Sequence, residues 1–86
     1  MAGRLQDKVA VVTGGASGIG EGMVRRFCRE GARVLLADID EPNGAAVAAE
    51  CGADFIMLDV SEPASWRQLQ GAISEKYGRL DTLVNN

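Results

Sequence analysis

Thr13-Gly14-Gly15-Ala16-Ser17-Gly18-Ile19-Gly20 is the stretch that decides the fold of this chain. The run before it, Lys8–Thr13, is continuously apolar and β-branched, as is typical of a strand buried on both faces. After it, apolar residues recur at helical spacing from Ile19 to Glu30. The glycines suit a tight turn into a helix whose N-terminus offers unpaired N–H groups and a positive dipole end. The sequence therefore predicts a loop that cradles phosphate groups.

The alternation of strand and helix continues along the rest of the chain. Three further apolar runs are predicted to be strands: Arg33–Asp38, Ala53–Leu58 and Asp81–Asn85. Helix-start chemistry, an acid followed by proline, comes at Asp40-Glu41-Pro42 and at Ser61-Glu62-Pro63. The predicted helices end near Gly52 and Gly78. This β-α-β-α-β-α-β order predicts a parallel sheet with right-handed crossovers.

Composition narrows the classes of function. The chain has 86 residues, enough for one domain at most, and a net charge of −3 that argues against nucleic acid or an anionic membrane as partner. Its longest apolar run is too short to span a bilayer, and Met1–Lys8 lacks a signal peptide's features, so the expected location is cytoplasmic. With no histidine and no CxxC, no metal site is expected; Cys28 and Cys51 are expected to be reduced thiols rather than a disulfide.

An acid at the end of the second predicted strand gives the loop its functional context. Asp38 follows the glycine loop by about 20 residues, where a carboxylate accepts hydrogen bonds from an adenosine ribose. Such a carboxylate would repel a 2′-phosphate, so NAD is favoured over NADP. The hydroxyls of Thr13 and Ser17 either contact a phosphate or hold the turn.

The glycine spacing, Gly-x-x-x-Gly-x-Gly, identifies a family when it is taken with Asp38, Asp59-Val60 and Leu80–Asn86. Over almost its whole length the chain resembles the N-terminal half of the short-chain dehydrogenase/reductase family. The resemblance implies a Rossmann-type doubly wound sheet with strand order 3-2-1-4. It also implies a set of cofactor-binding residues: Thr13, Gly14, Ser17, Gly18, Ile19, Gly20, Asp38, Ile39, Asp59, Val60, Asn85 and Asn86.

Several of these residues have a second interpretation. Asp59 either accepts from the adenine amino group or is a turn or helix-capping aspartate, and one of Asn85 and Asn86 is expected to tie strands together. Trp66 is read as packing rather than as a base-stacking residue. The basic cluster around Arg25 and Arg26 is read as a solvated helix face, because glutamates are interleaved with it.

The resemblance implies an oxidoreductase that transfers hydride between NAD(H) and an alcohol or carbonyl substrate. The family's catalytic Ser and Tyr-x-x-x-Lys are absent, since Tyr77 is the only tyrosine and Asp81 lies four residues later. The 86 residues alone are therefore expected to be inactive, with no catalytic residue among them. A dinucleotide sensor or scaffold, or a purely structural α/β domain, is the alternative.

The chain ends on its fourth predicted strand, which would leave an apolar edge exposed. Residues 1–86 are therefore expected to be the N-terminal part of a single NAD(P)-binding domain, truncated after Asn86. The parent protein is expected to be a homo-oligomer, a dimer or tetramer, as is common in the family. Substrate and reaction direction are not readable from these residues.

Overall fold

The computed structural model describes residues 4–86, which form one parallel sheet and three helices. The first three residues of Met1–Lys8, on which the expectation about a signal peptide partly rests, lie outside the described residues. The strands are β1 (Val9–Thr13), β2 (Arg33–Asp38), β3 (Asp54–Met57) and β4 (Thr82–Asn85). The helices are α1 (Gly18–Arg29), α2 (Glu41–Cys51) and α3 (Pro63–Lys76).

The spatial order of the strands is β3-β2-β1-β4, and every neighbouring pair is parallel. Val11 in β1 lies in register with Leu35 in β2 on one side and with Leu83 in β4 on the other. The predicted order 3-2-1-4 is confirmed. Because the chain moves outward from β1 through β2 to β3 and then returns to the other side of β1, a crevice opens beyond the carboxyl ends of β1 and β4.

Helices cover both faces of the sheet, so the strands are buried on both sides, as their continuous apolar runs predict. On one face α3 packs on a buried cluster: Val11, Leu35, Ala37, Leu58 and Leu69. On the other face α1 and α2 enclose a second cluster: Val12, Val24, Val34, Leu36 and Val47. Successive residues of β1 and β2 belong to opposite clusters, because side chains along a strand alternate between its two faces. The two layers fix the ends of β1 and β2, where the glycine loop and Asp38 lie.

The predicted strand boundaries are correct to within one residue, and two of the deviations have visible causes. β4 begins one residue later than predicted because the side chain of Asp81 turns back to accept a hydrogen bond from the Val9 N–H at 2.8 Å. β3 begins one residue late because Ala53 still donates to the carbonyl of Ala48, at the end of α2. These side-chain and cap bonds take up backbone groups that would otherwise extend the strands.

β4 pairs only with β1 within residues 4–86, and Leu83 on this strand is 49% exposed. The apolar edge predicted from the sequence is therefore present in the structure. None of the helices between residues 4 and 86 has the length and apolar character needed to cross a membrane.

Candidate cofactor-binding site

The glycine loop is held against the sheet by backbone bonds and by one carboxylate. Gly14 adopts a left-handed conformation, with φ at 68°, and its N–H donates to the carbonyl of Ala37 at 2.7 Å. Two residues later the N–H of Ala16 donates to Oδ2 of Asp38 at 2.9 Å. The loop after β1 is thus tied to the end of β2, which gives it a fixed shape before any ligand binds.

The first turn of α1 packs directly on the loop, and Gly20 makes this possible. A Cβ at Gly20 would overlap the carbonyl oxygen of Gly14 and would lie 2.7 Å from the side-chain nitrogen of Asn86. That nitrogen in turn donates to the Gly14 carbonyl at 3.2 Å. The third glycine of the pattern therefore serves close packing between helix, loop and β4, as expected for this kind of turn.

The N-terminus of α1 is uncapped. Ser17 is the N-cap residue, but its side chain makes no capping hydrogen bond, and it is exposed. The first backbone N–H to find an acceptor is that of Glu21, which donates to Ser17 O at 3.2 Å. Within residues 4–86, the N–H groups of Gly18, Ile19 and Gly20 have no acceptor. By contrast, the N-terminus of α2 is capped by the Asp40 side chain.

Gly18 leaves open space in front of these N–H groups. Its φ is 61°, and no heavy atom lies within 4 Å of the position that a Cβ would occupy. Free N–H groups, the positive end of the helix dipole and an open approach are together what an anionic phosphate group requires. Thus the residues present fit a pyrophosphate at this helix N-terminus.

A cleft of about 230 Å³ lies beside the loop, at the carboxyl ends of the strands. Ile39 and Val60 are two of its lining residues, and each is 63% exposed. Large apolar side chains that face solvent in a cleft are suited to contact a flat ring. The structure brings six predicted site residues to this cleft, with Ala37 and Leu58 as its remaining lining: Gly14, Asp38, Ile39, Asp59, Val60 and Asn86.

The carboxylate of Asp38 has a structural partner on each oxygen. Oδ2 accepts from Ala16 N at 2.9 Å, and Oδ1 accepts from Asp40 N at 2.8 Å. An ionised carboxylate offers about four acceptor positions, so about two remain for hydroxyl groups of a ligand. Both backbone bonds orient the carboxylate at the edge of the cleft.

Asp59 forms a turn at the other side of the cleft. Its Oδ1 accepts from both the N–H and the hydroxyl of Ser61, at 3.0 and 2.6 Å. These bonds lower the pKa of the Asp59 carboxyl below its usual range, with the hydroxyl of Ser61 as the main cause. Asp59 is therefore a turn aspartate, as the second interpretation of this residue predicts. Oδ2 of Asp59 makes no hydrogen bond within the described chain and remains available to a donor in the cleft.

Thr13, Asn85 and Asn86 tie β1 to β4. The fully buried Thr13 hydroxyl lies 3.0 Å from Oδ1 of Asn85 and 3.3 Å from the Val84 carbonyl, and it accepts from the Asn86 N–H at 3.1 Å. The sequence did not decide which of the Thr13 and Ser17 hydroxyls holds the turn and which contacts a phosphate. In the structure the Thr13 hydroxyl joins β1 to β4, whereas the Ser17 hydroxyl makes no capping hydrogen bond. A direct cofactor contact by Thr13 or Asn85 stays a prediction.

Two residues that sequence reasoning did not place in the site support its wall. Trp66 donates from Nε1 to the Val60 carbonyl at 2.9 Å, and Ser65 Oγ accepts from the Asp59 N–H at 3.3 Å. The first turn of α3 thereby holds the Asp59-Val60 segment in place. Trp66 also packs on the core cluster beneath α3, as its spacing predicts. The hydrogen bond from the indole N–H of Trp66 could not be predicted, because no sequence pattern specifies the acceptor of a single N–H.

The basic cluster on α1 is engaged in ion pairs. Arg25 contacts Glu21 at 2.9 Å and Glu50 at 2.7 Å, and Arg26 contacts Glu30 at 3.0 Å. This supports a solvated helix face rather than a patch for an anion. In the part of the chain from residue 4 onward, no group of three or more potential metal ligands is present.

Comparison with known proteins gives a consistent result. The model of the short chain dehydrogenase family matches residues 8–86. The chain is 47% identical over 90 residues to 2,5-dichloro-2,5-cyclohexadiene-1,4-diol dehydrogenase of Sphingobium indicum, covering 99% of this chain and 36% of that protein. It is 47% identical over 88 residues to 3-beta-hydroxysteroid dehydrogenase of Comamonas testosteroni, covering 100% and 35%.

A solved structure shows the same arrangement. The 3-ketoacyl-(acyl-carrier-protein) reductase from Brucella melitensis, complexed with NADH, superposes with a TM-score of 0.88 at 38% identity. The match covers 92% of this chain and 33% of that one. The chain thus spans about a third of the length of the relatives that it matches.

Proposed function

The chain belongs to the short-chain dehydrogenase family, and from that premise we propose that it forms the NAD-binding part of an alcohol/carbonyl oxidoreductase. The observation that carries this proposal is the uncapped N-terminus of α1 beside a cleft with an oriented carboxylate. Sequence relatives of this chain are dehydrogenases, and one structural neighbour is complexed with NADH.

The cleft is assigned to the adenosine half of the cofactor. Ile39 and Val60 would contact the two faces of the adenine ring, since both are large, apolar and mostly exposed. The free Oδ2 of Asp59 would accept from the adenine amino group. Asp38 would accept from the ribose hydroxyls with its remaining acceptor positions.

The N-terminus of α1 is assigned to the pyrophosphate. The N–H groups of Gly18, Ile19 and Gly20 would donate to phosphate oxygens, with the exposed hydroxyl of Ser17 as a further donor. The loop needs no rearrangement for this, because Asp38 and Ala37 already hold it in shape. A preformed site loses less entropy on binding than a flexible one.

Asp38 is also the basis for preferring NAD over NADP. A 2′-phosphate would bring a negative charge next to a carboxylate whose two oxygens are already fixed by backbone N–H groups. This repulsion in a partly desolvated cleft disfavours NADP. The neighbouring positions, Ser17 and Ile39, offer no positive charge to offset it.

The chemistry that NAD supplies when bound is acceptance or donation of a hydride at its nicotinamide ring. The residues of this chain would bind and orient the cofactor, and the Tyr-x-x-x-Lys pair of the family does not occur in the 86-residue sequence. Tyr77, the only tyrosine, donates to Oδ2 of Asp54 at 2.6 Å, and Asp54 is in β3 at the edge of the sheet. Burial and the hydrogen bond to Asp54 raise the pKa of the Tyr77 hydroxyl. An acid–base catalyst that works at neutral pH requires the opposite shift.

We also propose properties of the whole protein in which this chain would be the nucleotide-binding portion. Residues 1–86 would be the N-terminal part of one Rossmann domain in a protein of the relatives' length. Its substrate would be a small alcohol or carbonyl compound, and the protein would work in the cytoplasm as a dimer or tetramer.

Calorimetric titration of the full-length protein with NAD, NADP and ADP-ribose tests the assignment. We expect micromolar binding of NAD and ADP-ribose, and binding of NADP that is weaker by at least about tenfold, equivalent to about 1.4 kcal/mol. ADP-ribose separates the adenosine and pyrophosphate contacts from those of the nicotinamide. Absence of binding by all three ligands to a folded protein would contradict the proposed function.

A further inference from the structure

Two cysteines from different helices lie beside the α1–α2 contact. Cys28 lies in the last turn of α1, and Cys51 is the final residue of α2. Both are free thiols, both are half-buried, and both line one cavity of about 300 Å³. About two dozen residues separate them in the sequence, so only the packing of the two helices brings them together.

Neighbouring contacts fix the two helices at this level. Nη2 of Arg25 lies 2.7 Å from Oε1 of Glu50, which joins α1 to α2 next to the cysteines. Cys28 follows Arg25 by one helical turn and so lies on the same face, while Cys51 directly follows Glu50. The Cys51 thiol donates to the Val47 carbonyl at 3.1 Å, which orients its sulfur.

Burial and the neighbouring Cys51 both affect the acidity of the Cys28 thiol. The pKa of the Cys28 thiol is raised to about 12, first by burial and then by the neighbouring Cys51. Burial therefore keeps the Cys28 thiol protonated at rest.

From this juxtaposition we propose that Cys28 and Cys51 form an oxidation site, at which hydrogen peroxide converts the two thiols into a disulfide that links α1 to α2. One thiol first loses its proton, and the resulting thiolate attacks a peroxide oxygen to give a sulfenic acid, while the other peroxide oxygen takes up the proton and leaves as water. The other sulfur then attacks the sulfenic sulfur and displaces a second water. Two thiols and one hydrogen peroxide thus yield one disulfide and two waters, and a thiol reductant reverses the step.

The site is independent of the nucleotide cleft. Cys28 lies about ten residues after the start of α1, which is about 15 Å along the helix axis from the glycine loop. The cleft residues and the cavity that holds the thiols have no member in common. The proposal therefore stands or fails separately from the proposed cofactor.

The test is peroxide treatment of the reduced full-length protein, followed by alkylation of the remaining thiols and tryptic mass spectrometry without reductant. We expect peptide 27–29 to be joined to peptide 34–67, at the sum of their masses less two hydrogens. The oxidised protein should also melt at a temperature higher by at least about 4 °C, because the cross-link restricts the unfolded chain. Dithiothreitol should abolish both effects.

Cys28→Ser and Cys51→Ser are matched controls, and Cys28→Ala is a further variant should the serine variant fail to fold. Each variant should lack the joined peptide and the rise in melting temperature. The proposal is wrong if wild-type protein, after peroxide, yields both peptides separately as alkylated thiols or as sulfinic acids. It is equally wrong if the joined peptide forms only between two molecules, as a dimer band without reductant would show.

Discussion

Oδ2 of Asp38 accepts a hydrogen bond from the N–H of Ala16 at 2.9 Å, so the acid at the end of β2 holds the glycine loop at the end of β1. The two sequence features that point to a dinucleotide are therefore one structural unit. A substitution at Asp38 changes the ribose contact and the support of the phosphate loop together.

Asp38→Ala should weaken NAD binding by about 10-fold to 100-fold, because it removes charged acceptors worth about 1.5–3 kcal/mol. It should also narrow the preference for NAD over NADP, since the repelling charge is lost. Asp38→Asn retains one oxygen for Ala16, so its affinity for NAD should lie between those of wild type and Asp38→Ala. Calorimetry with both cofactors measures these effects; an unchanged affinity ratio in Asp38→Ala would refute the ribose assignment.

Gly18→Val should abolish NAD binding in the full-length protein. The glycine has φ at 61° and faces open space, so a branched side chain would be strained and would fill the room needed by the pyrophosphate. Gly22→Ala is the matched control, because Gly22 lies in α1 with no atom within 4 Å of the added Cβ. That control should keep NAD affinity and stabilise the fold by up to about 1 kcal/mol.

Trp66→Phe should reduce affinity for ADP-ribose by about threefold to tenfold, because it removes the donor that holds the Val60 carbonyl at the cleft. Tyr77→Phe is the control. It deletes a 2.6 Å hydrogen bond to Asp54, which lies outside the cleft, and should cost stability without changing affinity. Equal affinity of Trp66→Phe and wild type for ADP-ribose would show that Val60 needs no such support.

Acid should unfold the protein partly through Asp81. Arg79, at 2.6 Å, and the Val9 N–H hold the pKa of Asp81 below its ordinary value of 3.8. A carboxyl with a lowered folded-state pKa stabilises the fold above about pH 4, and this stabilisation is lost as pH falls through the folded-state pKa. The urea midpoint of wild type should therefore fall as the pH drops below about 4.

Asp81→Asn keeps an acceptor for Val9 but cannot ionise, so its urea midpoint should change less between pH 5 and pH 2.5. Glu75→Gln removes the same charge at an exposed position of α3 and serves as the control. If Asp81→Asn and wild type lose stability in parallel over this range, the Asp81 contact does not contribute to acid unfolding.

Much of the fold could be predicted from the sequence because its signals are local. β2 runs from Arg33 to Asp38 and α2 starts at Glu41, as the apolar run and the Asp40 cap predict. The gathering of Asp38, Asp59 and Asn86 at one cleft could be predicted only by resemblance. Nothing in the spacing of these residues states which strand ends are neighbours.

Side-chain partners could not be predicted in the same way. Thr13 and Ser17 look alike in the sequence as hydroxyl donors beside a glycine loop. The structure separates them, because Thr13 is buried between β1 and β4, whereas Ser17 is exposed at an uncapped helix. Burial and strand neighbours, which the local sequence does not encode, decide which hydroxyl is free for a ligand.

The sequence by itself determined the order of strands and helices, the glycine turn and the acid after β2, because apolar periodicity, capping residues and glycine act over a few neighbouring positions. Only the tertiary structure decided that Asp38 supports Ala16, that Trp66 holds Val60, and that Cys28 and Cys51 line one cavity. Each of these relationships joins residues from different segments of the chain. Their geometry depends on how two faces of one sheet pack, and this packing is a property of the whole chain.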